Sequence, residues 1–171
     1  MKKITLTATL VALSTTLFAQ TDKEIANELF KQLKQSSFFE APQNFYIGGP
    51  PHGAVRSVVE GKINGNSTIV KFNYGGPGIT LEKVKQDPKK WLKALTVMKK
   101  IPNYDPAHKD WFWAKLKPNG EQLKVGKPKG CIACHQSASG NDYTFKHNKT
   151  VNAETTKIGE QSKSSKLFVP W

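Results

Sequence analysis

Cys131, Cys134 and His135 stand together late in the chain, in the run Cys131-Ile132-Ala133-Cys134-His135. A Cys-x-x-Cys-His run has a mechanical logic. On the first turn of a helix, two intervening residues put both sulfurs along one edge of a porphyrin, where they can form thioethers with its vinyl groups. The histidine that follows reaches beneath the ring to bind iron. A covalent link of this kind keeps a cofactor in place without a large surrounding core. The run therefore predicts one c-type haem, attached through Cys131 and Cys134, with His135 as the proximal iron ligand.

Three other chemistries use the same residue types. A structural zinc site normally takes four ligands, often two cysteine pairs. The chain has only 2 cysteines, and His52, His108 and His147 form no obvious second pair. A thioredoxin-like redox pair sits after a strand in a βαβ unit, and no such pattern is visible. A simple Cys131–Cys134 disulfide is the third, in an oxidising compartment.

The sixth position on iron is open to argument. No Met follows the motif. Met98, in an expected strand, reads as a core residue rather than a ligand, and His147 as a solvated histidine. A five-coordinate iron with an open side binds nitric oxide, hydroxylamine or peroxide, and the walls of the pocket then choose between binding and chemistry.

The compartment is read from the N-terminus. Lys2 and Lys3 precede a short uncharged apolar stretch, Ile4 to Phe18, with Ala19 at a cleavage edge. That is the pattern of a signal peptide over residues 1–19, too short for a comfortable membrane span; the competing reading is an uncleaved anchor, which the lysine-rich segment from Lys23 does not exclude. Residues 20–171 then form one exported, periplasmic domain. Removing Lys2 and Lys3 takes the formal charge from +13 to +11 (13 − 2), and Arg56 is the sole arginine. Such a surface suits an acidic redox partner. The lysines are scattered and the chain is exported, which argues against nucleic acid.

The elements that must position the motif follow from pattern. Thr21-Asp22-Lys23-Glu24 resembles a capping box, and Ile25, Leu29, Phe30 and Leu33 recur at helical spacing, so a helix is expected from Asp22 to Gln35. Phe38 to Pro51 has loop composition. Strands are expected at Val55–Val59, Thr68–Tyr74, from Leu95, at Trp111–Leu116 and at Gln122–Val125, with turns at Asn64-Gly65 and Pro118-Asn119-Gly120. The segment Leu81 to Lys93 is ambiguous, with a break at Asp87-Pro88. The strand at Trp111 is apolar on both faces, as it would be with a helix on one side and a haem on the other. Residues 152–166 read as a loose tail. The fold class is α+β, β-dominated.

The blocks Asp110-Trp111-Phe112-Trp113-Ala114-Lys115, Pro118-Asn119-Gly120, Gly130-Cys131-Ile132-Ala133-Cys134-His135 and Asn141-Asp142-Tyr143-Thr144-Phe145 together resemble the cytochrome P-460 family, which includes cytochrome c′-beta. Thr68-Ile69-Val70-Lys71 and Val97-Met98 extend the match upstream, and Pro51-His52-Gly53 marks its beginning. The resemblance implies an antiparallel sheet with a few helices and a haem lying against it. It also implies His135 as proximal ligand and an open distal side. Some members oxidise hydroxylamine and carry a lysine bonded to the porphyrin, and Lys71 falls at the matching place. Others bind nitric oxide or carbon monoxide in an apolar, aromatic-lined pocket. Related proteins are often homodimers.

One departure weighs on the choice. The hydroxylamine-oxidising members place a carboxylate over the iron from just before the haem motif, whereas no acid lies between Glu121 and Cys131 here. Glu60, Glu82 and Asp110 are the remote substitutes; Phe38, Phe39, Phe45 and Phe72 are candidates for aromatic walls, and each reads first as a core residue. Arg56 is a candidate partner for a haem propionate; the competing reading is an exposed arginine. Lys71 has the same two readings, porphyrin-facing or exposed. The expectation is a small-ligand-binding haem c protein, against a hydroxylamine-type oxidoreductase and an electron carrier with a sixth protein ligand.

Overall fold

The computed structural model describes residues 19–40 and 44–145, together with the backbone of 150–152. His147, nearly all of the expected leader and all but the first residue of the expected tail lie outside the described residues. No helix among the described residues is long and apolar enough to cross a membrane.

Helix α1 (Asp22–Lys34) begins where the capping box predicts. The Thr21 hydroxyl accepts from the Glu24 N–H at 3.3 Å, and the Glu24 carboxylate accepts from the Thr21 N–H at 2.8 Å. Two of the otherwise orphaned donors of a helix start are thus satisfied. Asp22 and Glu24 in the first turn and Lys31 and Lys34 in the last complement the helix dipole. The buried stripe is Ala26, Leu29 and Leu33. Ile25 and Phe30 lie at its margins, only partly buried.

The strands are β1 (Tyr46–Ile47), β2 (Val55–Ile63), β3 (Asn66–Tyr74), β4 (Leu92–Lys100), β5 (Trp111–Leu116), β6 (Gln122–Gly126) and β7 (Thr150–Asn152). The first six pair antiparallel in chain order. Strand β7 returns to pair with β2 in parallel. Strand β2 runs four residues beyond the expected Val59, because the Asn64-Gly65 turn sets its end. Both turn residues have positive φ, 51° and 79°, as a two-residue hairpin turn of primed type demands. Two further strands were not legible. β1 falls in the expected loop, where Tyr46 opposes Arg56 and Ile47 opposes Val55. β7 reaches the first residue of the expected tail, where Asn152 opposes Glu60. The ambiguous segment forms two short helices, α2 (Leu81–Gln86) and α3 (Pro88–Trp91), and Asp87 caps the second by accepting from the Lys90 N–H at 3.1 Å.

Strand alternation sorts the side chains into two compartments. On one face Val70, Phe72, Leu95, Val97, Phe112 and Leu116 form the main core with Leu29 and Leu33 of α1 and with Phe38. On the other, Met98, Trp111 and Trp113 pack with Ile132 and Tyr143 from the region of the cysteine motif. The doubly apolar strand at Trp111 is therefore covered by α1's core on one side and by the motif on the other.

Phe112 is fully buried in the main core. Phe112→Ala should cost about 3–5 kcal/mol, read as a lower urea midpoint. Ile47→Ala, at a residue 76% exposed, should change stability by no more than about 0.5 kcal/mol.

Candidate functional site

Helix α4 (Lys129–His135) carries the motif. It starts after Pro128, whose carbonyl accepts from the N–H groups of Cys131 (2.9 Å) and Ile132 (3.2 Å). The helix turns Ile132 and His135 inward and leaves Cys134 exposed and Cys131 half-buried, both as free thiols. Burial pushes the Cys131 thiol above its ordinary range, with Lys124 and Lys115 pulling the other way.

The His135 imidazole is held on three sides. The rings of Trp113 and Phe145 meet it edge-on at 4.9 and 5.0 Å between centroids. Its Nδ1 lies 2.7 Å from the Tyr143 carbonyl oxygen. A carbonyl can only accept, so Nδ1 carries the proton and Nε2 keeps a lone pair. Burial lowers the imidazole below its usual range, outweighing the Tyr143 hydrogen bond that raises it. The ring is thus a neutral imidazole with its tautomer chosen by a backbone group, an arrangement common for histidines that bind a metal.

The Asn-Asp-Tyr segment after the motif exists to present that carbonyl. Asp142 and Tyr143 both adopt the left-handed region, with φ of 54° and 62°. Such strain persists only where the surroundings over-determine it, and here they do. Trp111 Nε1 donates to the Asp142 carbonyl at 2.9 Å. Lys100 pairs with the Asp142 carboxylate at 2.8 Å and lies 4.3 Å above the Trp111 ring. Tyr143 donates its hydroxyl proton to Gln136 Oε1 at 2.9 Å.

Beside His135 lies a cavity of about 290 Å³ between α4 and the sheet. Ile69, Met98 and Trp113 form its apolar wall, and Lys71, Lys115 and Lys124 supply its cations. Lys71 faces away from Val70 and Phe72, as strand parity requires, and is only 7% exposed. Burial first, then the Arg56 charge, lowers its ammonium pKa to about 8. His52 lines the same cavity, its Nδ1 3.5 Å from Thr96 Oγ1. Burial above all, with the Lys71 and Arg56 charges, pushes its pKa down to about 3.

Other candidates fall elsewhere. Arg56 does not line the cavity. It is half-buried, and its guanidinium donates to the carbonyls of Gly49 and, at 3.2 Å, Gly53, so it braces the loop that carries His52. Phe38 and Phe72 are buried in the main core, with Phe39 and Phe45 packed against it; the aromatic wall comes instead from Trp113. No carboxylate occurs among the described residues lining the cavity, and Glu60, Glu82 and Asp110 are not among them. His52 was singled out from sequence only by its flanking Pro51 and Gly53, and nothing local showed that it would stand opposite His135.

No group of three or more His, Cys, Asp or Glu able to hold a metal ion occurs among the described residues, and the strand leading to α4 belongs to an antiparallel hairpin, not a βαβ unit. Residues 47–146 match the family model described as Cytochrome P460. The chain belongs to the cytochrome P460 family. No curated protein matches it. Membership implies a haem cofactor, and the residues present fit one. An imidazole with a free Nε2 borders the cavity, the wall beside it is apolar, and its lysines suit the carboxylates of a porphyrin. Trp113 Nε1 is buried there without a hydrogen-bond partner among the described residues, a donor that an acceptor on a bound group would satisfy.

Lys71 gives a pH-dependent signature. Its folded pKa of about 8 lies below the ordinary lysine value of 10.5, so between those values the unfolded chain holds a proton that the folded one has lost. Stability from this group therefore rises with pH across the window. The stability of wild type relative to Lys71→Met, from urea unfolding at pH 7 to 10, should rise by on the order of 2 kcal/mol. A flat difference would contradict the burial of the amine.

Proposed function

We propose that this member of the cytochrome P460 family is an exported mono-haem c protein that binds nitric oxide or a similar small ligand at its iron. The observation that carries the reading is the His135 imidazole, neutral and tied at Nδ1, beside a cavity whose described walls carry no carboxylate. In this reading Cys131 and Cys134 form the thioethers and His135 is the proximal ligand. A haem held there supplies an iron whose sixth position takes small ligands.

The chain's own residues do the rest. Helix α4 brings both thiols and the imidazole to one side of the cavity. Tyr143 keeps His135 oriented and in the tautomer that can ligate. Ile69, Met98 and Trp113 exclude water from the bound ligand, which favours retention over chemistry. Lys115 and Lys124 stand where they can meet the porphyrin carboxylates. No carboxylate stands among the described lining residues to take protons from a substrate such as hydroxylamine.

A second reading, an oxidoreductase acting on hydroxylamine or a related nitrogen compound through a lysine-bonded haem, has one observation in its favour. Lys71 is buried against the same cavity, and with a pKa of about 8 part of it is the neutral, nucleophilic amine at neutral pH. For compartment and partner, we infer export directed by residues 1–19 and docking of an acidic redox protein on the lysine-rich surface.

Replacing Cys131 and Cys134 together by Ala should abolish haem staining after a denaturing gel. Staining that survives would sink the attachment. The reduced wild type should change its absorption spectrum when nitric oxide is added. A strongly red-shifted ferrous Soret band that disappears in Lys71→Ala would favour the oxidoreductase instead. N-terminal sequencing of the exported protein should begin at Gln20.

A further inference from the structure

The sheet carries a second cavity, on the face away from His135. Phe72 and Tyr74 of β3 belong to the main core, on the opposite side of the strand from Lys71. With Leu92 of β4, Phe30 of α1 and Phe39 they wall a hollow of about 280 Å³ beside the last turns of that helix. Its rings are held by their neighbours. Phe39 meets Phe72 edge-on at 5.5 Å between centroids. The β5–β6 turn rests on Phe30, where a Cβ added to Gly120 would fall 2.5 Å from Cδ1 and Cε1 of the ring. Tyr74 offers its ring rather than its hydroxyl, which is bonded to Ser57. A close-packed interior normally fills such a space with its own side chains, and at this volume it lies near the lower end of small-molecule sites, which run from about 300 Å³.

The charges at this cavity have one sign. Lys34 and Lys89 line it and are both exposed, so their ammonium groups stand at its mouth. Lys34 Nζ lies 5.9 Å from the centre of the Phe30 ring, which sets the cation at the edge of the apolar wall. Lys89 sits on α3, and Lys85, Lys90 and Lys93, close by in sequence and also exposed, add to the positive field there. No carboxylate is among the described residues lining the cavity. An aromatic hollow with cations at its lip complements a molecule with an apolar body and one anionic end. A small hydrophilic anion would leave the rings uncovered, and an uncharged apolar guest would not use the lysines.

We propose that this cavity is a second binding site, separate from the one beside His135, and that it takes an amphipathic anion: an acyl chain ended by a carboxylate or by the phosphate of a lipid. The chain lies against Phe30, Phe39, Phe72 and Leu92, and the anionic end meets Lys34 and Lys89. Binding there is non-covalent, and it does not depend on the haem reading above, because the sheet stands between the two cavities.

The test is calorimetric titration of the purified holoprotein with dodecanoate, kept below its micellar concentration. Wild type should bind one dodecanoate per chain, and should bind uncharged dodecanol at least about tenfold more weakly. Replacing the two exposed lysines together, Lys34→Glu with Lys89→Glu, should leave the urea midpoint nearly unchanged and weaken dodecanoate at least about tenfold, since like charges then face the anionic end. The visible absorption spectrum should not move during the titration. Absence of saturable binding overturns the proposal, as does binding that survives the double charge reversal. A spectrum that shifts with dodecanoate overturns it too, by placing the molecule beside His135. Cosedimentation with phosphatidylglycerol vesicles, lost in the same variant, would make a membrane lipid the source of the chain, and dodecanoate binding without cosedimentation a free carboxylate. Cosedimentation without dodecanoate binding overturns the proposal in favour of a membrane surface. The heats are read whatever cofactor the protein holds, so failure here leaves the haem reading untouched.

Discussion

The hydrogen bond from His135 Nδ1 to the Tyr143 carbonyl is the constraint around which this molecule is organised. It selects the tautomer, frees Nε2, and ties the end of α4 to the turn that follows it. Its acceptor is a main-chain atom, so no substitution of Tyr143 removes it directly. What can move it is the backbone path. That path runs through two consecutive left-handed residues, held by Trp111 from below and by Lys100 through the Asp142 carboxylate. The charged pair is partly exposed and worth little on its own. Its value lies in geometry, since it fixes an orientation that a loose loop would sample only part of the time.

Much of this was legible from sequence because the causes are local. The capping box places the start of α1, Asn64-Gly65 places a hairpin, and period-two alternation puts Lys71 opposite Val70 and Phe72. The cysteine motif announces its own chemistry. What was not legible depends on contacts across the chain. Parity says that two residues of a strand face oppositely, but not which face receives the helix and which the cofactor. The phenylalanines were therefore candidates for the pocket until the sheet sent them to the helix side. Arg56 looked like a propionate partner because its type suits carboxylates. It proved to be satisfied by loop carbonyls that lie near it only once β1 and β2 have paired. His52 had no sequence signal beyond a proline and a glycine, since its place beside His135 depends on a contact with a ring 83 positions away (135 − 52). The short strands β1 and β7 are too brief for any period to show.

The cavity's electrostatics follow from the same economy. Three lysines and two histidines share a space without a carboxylate among its described walls, and both imidazoles and Lys71 are pushed toward neutrality by burial. A porphyrin with two carboxylates relieves that imbalance. Lys71, Lys115 and Lys124 thus stand where a negative guest would be held, beside described walls that carry no carboxylate.

Strand β5 gives alternate side chains to two compartments, Phe112 and Leu116 to the helix side and Trp111 and Trp113 to the site. A close-packed interior transmits displacement rather than absorbing it. A methyl gained or lost beneath the sheet therefore shifts the strand that carries the indole beside His135, one peptide unit away. Residues that never line the cavity become its remote adjusters, and its shape can drift through changes that look, by position, like ordinary variation in the core.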